Sequence, residues 1–264
     1  MSIWESMFLG FLQGVTEFLP VSSSGHLVVA RRFLGVELPG VQFEVALHLA
    51  TLVSVLAVYR ESIMSLFCGL LDRDDSAFEY LLMLSVATVP AGLLGVWGSG
   101  MLEDLFVNPW VPVIGFFVTG LVLWNFDAKF SEMSRGRVTL VVALMIGLAQ
   151  ACALVPGISR SGMTVAMALW LGVNDEEALR FSFLASIPII LGATSIELID
   201  LQSENISLDG MDLFVGMLVA GITGIFAIKS FLFLLRRKMM TRFALYCFSL
   251  SFCLGLVLLG TGTN

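Results

Sequence analysis

Long apolar runs closed off by short charged segments set the rhythm of this chain. Charge-free stretches extend from Tyr80 to Leu102, from Leu105 to Phe126 and from Phe243 to Asn264. Each is long enough for a helix across a hydrocarbon layer of ~30 Å, which takes ~20 residues. Phe43–Tyr59, Phe181–Ile196 and Leu213–Leu235 read the same way, apart from isolated Glu44, His48 and Lys229. The pattern predicts six transmembrane helices.

Two further apolar regions, 6–35 and 138–172, are broken in the middle. The first is interrupted by Pro20-Val21-Ser22-Ser23-Ser24-Gly25-His26 and the second by Pro156-Gly157-Ile158-Ser159-Arg160-Ser161-Gly162. Pro and Gly followed by small hydroxyl residues end one helix and start another. The flank after each break reaches only ~15 Å at ~1.5 Å per residue, half of a bilayer. Both regions are therefore expected to be re-entrant helical hairpins. Non-helical backbone at that depth is tolerated only where protein buries it or water reaches it.

Composition agrees with an all-α polytopic membrane protein. Of 264 residues, 58% are hydrophobic and 13% charged, and the mean hydropathy is +0.94. Soluble domains carry about 25% charged residues, and none could hide this much apolar surface. The net charge of −7 argues against nucleic acid as a partner. Cys68, Cys152, Cys247 and Cys253 show no CxxC spacing and are expected to be buried, inert thiols. The start, MSIWESMFLG, lacks a cationic segment before its apolar run, so it is expected to stay in the mature protein.

If the hairpins return to their starting side, the loops sort by charge. Arg60, Arg73, Lys129, Arg135, Arg137, Arg236, Arg237, Lys238 and Arg242 share one face. The opposite loops hold only acidic charges, namely Glu103, Asp104, Glu197, Asp200, Glu204, Asp209 and Asp212. The basic face is expected in the cytoplasm. Arg31 and Arg32 are the exceptions.

Residues 10–35 align with 147–172 without a gap at an offset of 137. Gly10/Gly147, Gln13/Gln150, Ser22/Ser159, Ser24/Ser161, Gly25/Gly162, Val28/Val165, Leu34/Leu171 and Gly35/Gly172 are identical pairs. Three spans follow each hairpin, and an odd number of crossings inverts the second copy. A single membrane domain, 1–264, is expected as two inverted-topology repeats, 1–126 and 138–264, joined by a linker at 127–137. Such folds keep their ligand sites where the broken helices meet near the midplane.

The differences between the copies carry the chemistry. Glu17 stands against Leu154, Ser23 against Arg160, His26 against Met163 and Leu27 against Thr164. Ionisable groups inside a membrane are costly and point to function. Gln13 and Glu17 share a helix face. Two Ser/Gly-rich helix starts aim N–H groups at an anion, and Arg160 can grip phosphate with two parallel hydrogen bonds. Glu17 then serves as base or metal ligand, Ser23 as nucleophile and His26 in proton transfer. Plainer roles stay open: backbone satisfaction by the serines, a Glu17–Arg160 ion pair, helix capping by His26, and a cavity-facing place for Glu44 and His48.

At these stretches the chain resembles the undecaprenyl-diphosphate phosphatase family of the bacitracin-resistance type, over essentially its whole length. One motif stands as Gln13-Gly14-Val15-Thr16-Glu17, running on to His26. The other stands as Pro156-Gly157-Ile158-Ser159-Arg160-Ser161-Gly162-Met163-Thr164. The first motif begins with Gln13 in place of Glu, a variation that the motif allows but that leaves one carboxylate fewer for a cation. The resemblance implies an inner-membrane hydrolase that turns a C55 polyprenyl diphosphate into the monophosphate carrier for peptidoglycan synthesis. It also implies Mg²⁺ or Ca²⁺ dependence, a site open to the outer face and bacitracin resistance. By it, Glu17, Ser23, His26 and Arg160 are the catalytic candidates, with Glu17 the metal ligand. Gln13, Ser22, Ser24, Gly25, Ser159, Ser161, Gly162 and Thr164 are the substrate-binding candidates. The expected attacking group is Ser23, activated by His26 and Glu17, with attack by His26 left open. Partners are the lipid diphosphate and membrane lipids, with a homodimer left open. The rival reading is a secondary transporter or flippase of an anionic polyprenyl lipid, since inverted repeats and broken helices are also transporter architecture.

Overall fold

The structure is a computed structural model and describes residues 1–34, 42–126, 136–200 and 210–261. Gly35, Lys129, Arg135, Glu204, Asp209 and nearly all of the linker 127–137 lie outside these residues. Every regular element described is a helix. The first apolar region forms α1 (Ile3–Phe18) and α2 (Ser23–Leu34). A capping box starts α1: Glu5 N–H donates to Ser2 Oγ at 3.3 Å and Ser2 N–H to Glu5 Oε2 at 2.7 Å. The spans that follow give α3 (Gln42–Val58), α4 (Arg60–Leu71), α5 (Asp75–Trp97), α6 (Ser99–Val107) and α7 (Trp110–Trp124). The second broken region forms α8 (Leu140–Cys152) and α9 (Arg160–Trp170). After it come α10 (Asp175–Asp200), α11 (Gly210–Arg236) and α12 (Met240–Thr261).

Among the described residues four helices, α5, α10, α11 and α12, are long and apolar enough to cross a membrane, and two bent pairs bring the number to as many as six. Two sequence expectations change. The segment 60–77, expected as a loop, is mostly α4, turned 73° from α3. No residue of α4 is fully buried; Ile63 and Leu66 still pack on the core, while Met64, Phe67 and Leu71 point outward. The stretch Leu105–Phe126, expected as one span, breaks at Asn108-Pro109. The Asn108 side chain accepts from Trp110 N–H at 2.9 Å, a turn that restarts the chain as α7. The cysteines also differ from expectation, since only Cys247 is buried while Cys68, Cys152 and Cys253 are exposed. All four are free thiols.

Helix α1 packs along α11 and α8 along α5; α3 lies against α11 and α10, α10 against α5, and α7 against α12. Glycine permits close approach in the α1–α11 and α8–α5 pairs. A Cβ on Gly10 would stand 2.3 Å from Gly216 O, and one on Gly147 would stand 2.7 Å from Ala87 O. The core centres on Phe18, Phe181, Phe183 and Phe231, with Phe18 and Phe183 edge to face at 5.5 Å. Large apolar side chains, among them Phe214, Phe226 and Phe252, cover the outside. In water that surface would be a liability; in lipid it is the solvent-matched face.

Candidate active site

Both broken regions stop in the same region of the fold and lean on one another. The first break spans 19–22, where Ser22 adopts a left-handed backbone with φ 69°. The second spans 153–159, where Gly157 has φ 89°. Gly25, in the first turn of α2, meets this second break so closely that a Cβ would stand 2.9 Å from Gly157 Cα. Ser161 Oγ donates to Leu19 O at 3.3 Å, tying the start of α9 to the first break. From α7, Thr119 Oγ1 donates to Gly157 O at 2.8 Å and accepts from Ser159 N–H at 2.9 Å.

The two breaks repeat one local design. Ser22 Oγ accepts from Gly25 N–H at 3.4 Å, and Ser159 Oγ accepts from Gly162 N–H at 3.1 Å. Ser22 and Ser24 pair through their hydroxyls at 3.4 Å, as Ser159 and Ser161 do at 3.3 Å. Ser22 and Ser159 cap the helices that follow, while the Ser24 hydroxyl pairs with Ser22 and the Ser161 hydroxyl reaches Leu19 O. Thr164 is also occupied: it donates to Arg160 O at 2.8 Å and pairs with Ser182 Oγ of α10 at 2.5 Å. It is fully buried in that helix contact.

Glu17 gathers the rest. Its Oε2 accepts from Ser23 Oγ at 2.6 Å and from Gln13 Nε2 at 3.1 Å. Its Oε1 accepts from Arg160 Nη2 at 2.6 Å, forming an ion pair between the two halves of the chain. His48 Nε2 of α3 stands 3.9 Å from Oε2, and its Nδ1 bonds the Glu44 carbonyl at 2.8 Å. Glu44 itself pairs with Arg31 at 2.7 Å. Two buried atoms beside Glu17 have no hydrogen-bond partner: Oε1 of Gln13 and Nη1 of Arg160. A donor fork with one free arm and a free carbonyl oxygen together suit an anion accompanied by a cation.

His26 takes a different position from the one expected. Its Nδ1 bonds Ser22 O at 2.7 Å and its Nε2 bonds Tyr246 OH of α12 at 2.6 Å, so neither ring nitrogen is on Ser23. Phe116 of α7 meets the imidazole edge to face at 5.1 Å. Sequence reasoning missed Thr119, Phe116 and Tyr246. They sit in uniformly apolar spans, where no motif sets them apart. Among the described residues no group of three or more His, Cys, Asp or Glu is arranged to hold a metal ion.

The arrangement defines a polytopic membrane protein with a carboxylate–hydroxyl pair and a half-free guanidinium where two broken helices meet. The family model described as Bacitracin resistance protein BacA matches residues 6–253, and the chain belongs to that family. Among its relatives, a protein of Carboxydothermus hydrogenoformans named undecaprenyl-diphosphatase is 38% identical over 250 residues, 93% of this chain and 94% of the relative. One of the same name from Rubrobacter xylanophilus is 39% identical over 272 residues, 98% and 99% of the two chains. Another, from Methanobrevibacter smithii, is 36% identical over 263 residues, 94% of each.

Proposed function

We propose that this protein hydrolyses undecaprenyl diphosphate to undecaprenyl phosphate and inorganic phosphate in the bacterial plasma membrane, and that abundant protein confers bacitracin resistance. The observation that carries the reading is the Ser23–Glu17–Arg160 chain of contacts. Glu17 Oε2 already accepts the Ser23 hydroxyl's hydrogen bond, so this carboxylate is the base. Ser23 Oγ attacks the terminal phosphorus and gives its proton to Glu17. The bond from that phosphorus to the bridging oxygen breaks, and undecaprenyl phosphate leaves. Water then attacks the phosphoserine phosphorus; the ester bond breaks, Ser23 recovers its proton from Glu17, and the remaining protons leave with inorganic phosphate. Arg160 Nη1 is the arm available to the phosphoryl oxygens while Nη2 keeps Glu17 in place.

The donor set fits a hard divalent cation that arrives with its substrate. Mg²⁺ is commonly held by one or two carboxylates, with substrate phosphates and water filling the rest. Gln13 Oε1, free of partners, and Glu17 are the groups that would hold it. Bound there, Mg²⁺ or Ca²⁺ would neutralise the diphosphate charge.

Each hairpin is assigned as re-entrant, within two inverted-topology repeats, 1–126 and 138–264. The packing supports this: exchanging α1 with α8, α3 with α10, α5 with α11 and α7 with α12 maps the main helix contacts onto one another. The basic loops are placed in the cytoplasm and the site opens to the outer face. A carrier of the same lipid would need the anion grip but gives the Ser23–Glu17 bond no task. The deciding assay is phosphate release from a long polyprenyl diphosphate by the purified chain, with and without chelator. Release that is absent under both conditions overturns the reading.

A further inference from the structure

We propose that Tyr246, from the last helix of the chain, is a positioning residue that aims Ser23 by acting through His26 and the backbone of Ser22. This inference rests on the hydrolase reading and adds to it a residue outside both motifs.

Proton inventory sets the direction of both imidazole contacts. A backbone carbonyl only accepts, so the 2.7 Å contact between His26 Nδ1 and Ser22 O requires a proton on Nδ1. In a neutral imidazole Nε2 then carries the lone pair, and Tyr246 OH, 2.6 Å away, must donate to it. Ring geometry agrees. The two ring planes differ by only 3°, with centroids 5.7 Å apart. Parallel planes joined by a 2.6 Å contact cannot be separated by more than 2.6 Å, which is less than a van der Waals stack needs. The short contact is therefore the hydrogen bond between the phenol and Nε2, and the two rings do not form a face-to-face stack.

The other end of the imidazole grips an unusual residue. Ser22 is not glycine, yet it has φ 69°, a region that a residue with a Cβ enters only at a cost. Its carbonyl is held by His26 Nδ1 at 2.7 Å and by the His26 amide at 3.3 Å. The next residue is Ser23, whose hydroxyl sits on Glu17. Left-handed backbone at Ser22 is what turns the chain from the end of α1 into α2 with Ser23 facing Glu17. Tyr246 fixes the imidazole, the imidazole fixes the Ser22 peptide, and the peptide fixes the nucleophile. Phe116 closes the remaining side of the ring at 5.1 Å. His26 is thereby a positioning residue as well.

The test uses the full chain in detergent or lipid discs. Tyr246→Phe keeps the ring and removes one hydroxyl. The expected result is a kcat lowered by about three- to tenfold, the range of one net hydrogen bond, with KM within about twofold. In a Ser22→Gly background the left-handed turn no longer needs holding, so adding Tyr246→Phe should cost less than about twofold further. An equal loss in both backgrounds, or parent-like kcat in Tyr246→Phe, overturns the proposal. A second readout does not depend on turnover. In ¹⁵N-histidine spectra the His26 signals, identified by their loss in His26→Ala, should show Nε2 moving toward a free pyridine-type nitrogen in Tyr246→Phe. No movement overturns the hydrogen-bond chain. If the parent releases no phosphate, the hydrolase reading fails, while the spectra still decide whether Tyr246 holds His26.

Discussion

Arg160 Nη2 lies 2.6 Å from Glu17 Oε1, a contact between residues 143 apart in the chain. It joins the two copies of the repeated segment at the positions where they differ, Glu17 standing against Leu154 and Arg160 against Ser23. One guanidinium arm holds the Glu17 carboxylate and the other, Nη1, is buried and free. The same side chain can therefore orient the carboxylate and receive the phosphoryl group.

Arg160→Lys separates these tasks. A lysine offers one compact, strongly hydrated point charge and lacks the rigid planar fork that holds Glu17 on one arm and reaches a phosphate oxygen with the other. kcat/KM should fall by about 10- to 100-fold, since a hydrogen bond to a charged group is worth ~1.5–3 kcal/mol. Steady-state phosphate release checks it, and near-parental turnover would falsify the clamp.

Ser23→Ala removes the proposed attacking oxygen and leaves Arg160 and the helix starts in place. Lipid diphosphate should still bind, while hydrolysis falls by orders of magnitude. Adding Glu17→Gln should lower the rate little further, because groups that act as a unit are non-additive. Additive losses would separate the base from the nucleophile.

Gln13→Glu places a second carboxylate one turn from Glu17. The expected outcome is half-maximal hydrolysis at a lower Mg²⁺ concentration than the parent requires. Titration of the chelated protein with Mg²⁺ measures this, and an unchanged midpoint removes Gln13 from the cation's surroundings.

Gly10→Ala and Gly147→Ala should both lower the melting temperature in detergent, because a methyl group at either position meets backbone oxygen at 2.3 and 2.7 Å. Gly92→Ala in α5 is the control. Nothing lies within 4 Å of its added methyl, and replacing a helical glycine gains roughly 0.5–1 kcal/mol. Equal losses at all three sites would show that helix contact is not the cause.

Sidedness is open to labelling in a chain cleared of its four cysteines. Asn108→Cys should react with an impermeant maleimide added outside intact cells, and Lys238→Cys only after lysis. The reverse pattern would place the basic loops outside.

Much of this site is legible in the sequence because its parts are local. Gln13 and Glu17 share a face by helical spacing alone. Pro20 and Pro156, each followed by serines, announce the breaks, and the offset of 137 announces the repeat. What the sequence withholds is pairing at long range. Thr119 lies 40 residues from the Ser159 amide that it receives, and Tyr246 lies 220 residues from His26. Neither carries a local pattern, since one hydroxyl in an apolar span reads the same whether it faces lipid or protein. The helix α4 was hidden for the opposite reason: Arg60, Glu61 and Asp72 give it the composition of a loop, although Ile63 and Leu66 anchor one face. The break at Asn108-Pro109 did have a local signal, a proline within an apolar run, outweighed by the run's length.

The packing of α1 on α11 has a consequence for the order of events during synthesis. Phe18 closes α1, but the first residue of α11 is Gly210, so the partner helix emerges almost two hundred residues later. At ~5–20 residues per second, the first hairpin waits about 10 to 40 s for the surface on which Gly10 fits. Its polar residues, Gln13 and Glu17 among them, pass most of that interval without Arg160, which is made before α11 begins. The N-terminal half cannot mature as an independent unit, and the ribosome has nearly finished the chain before the site can close.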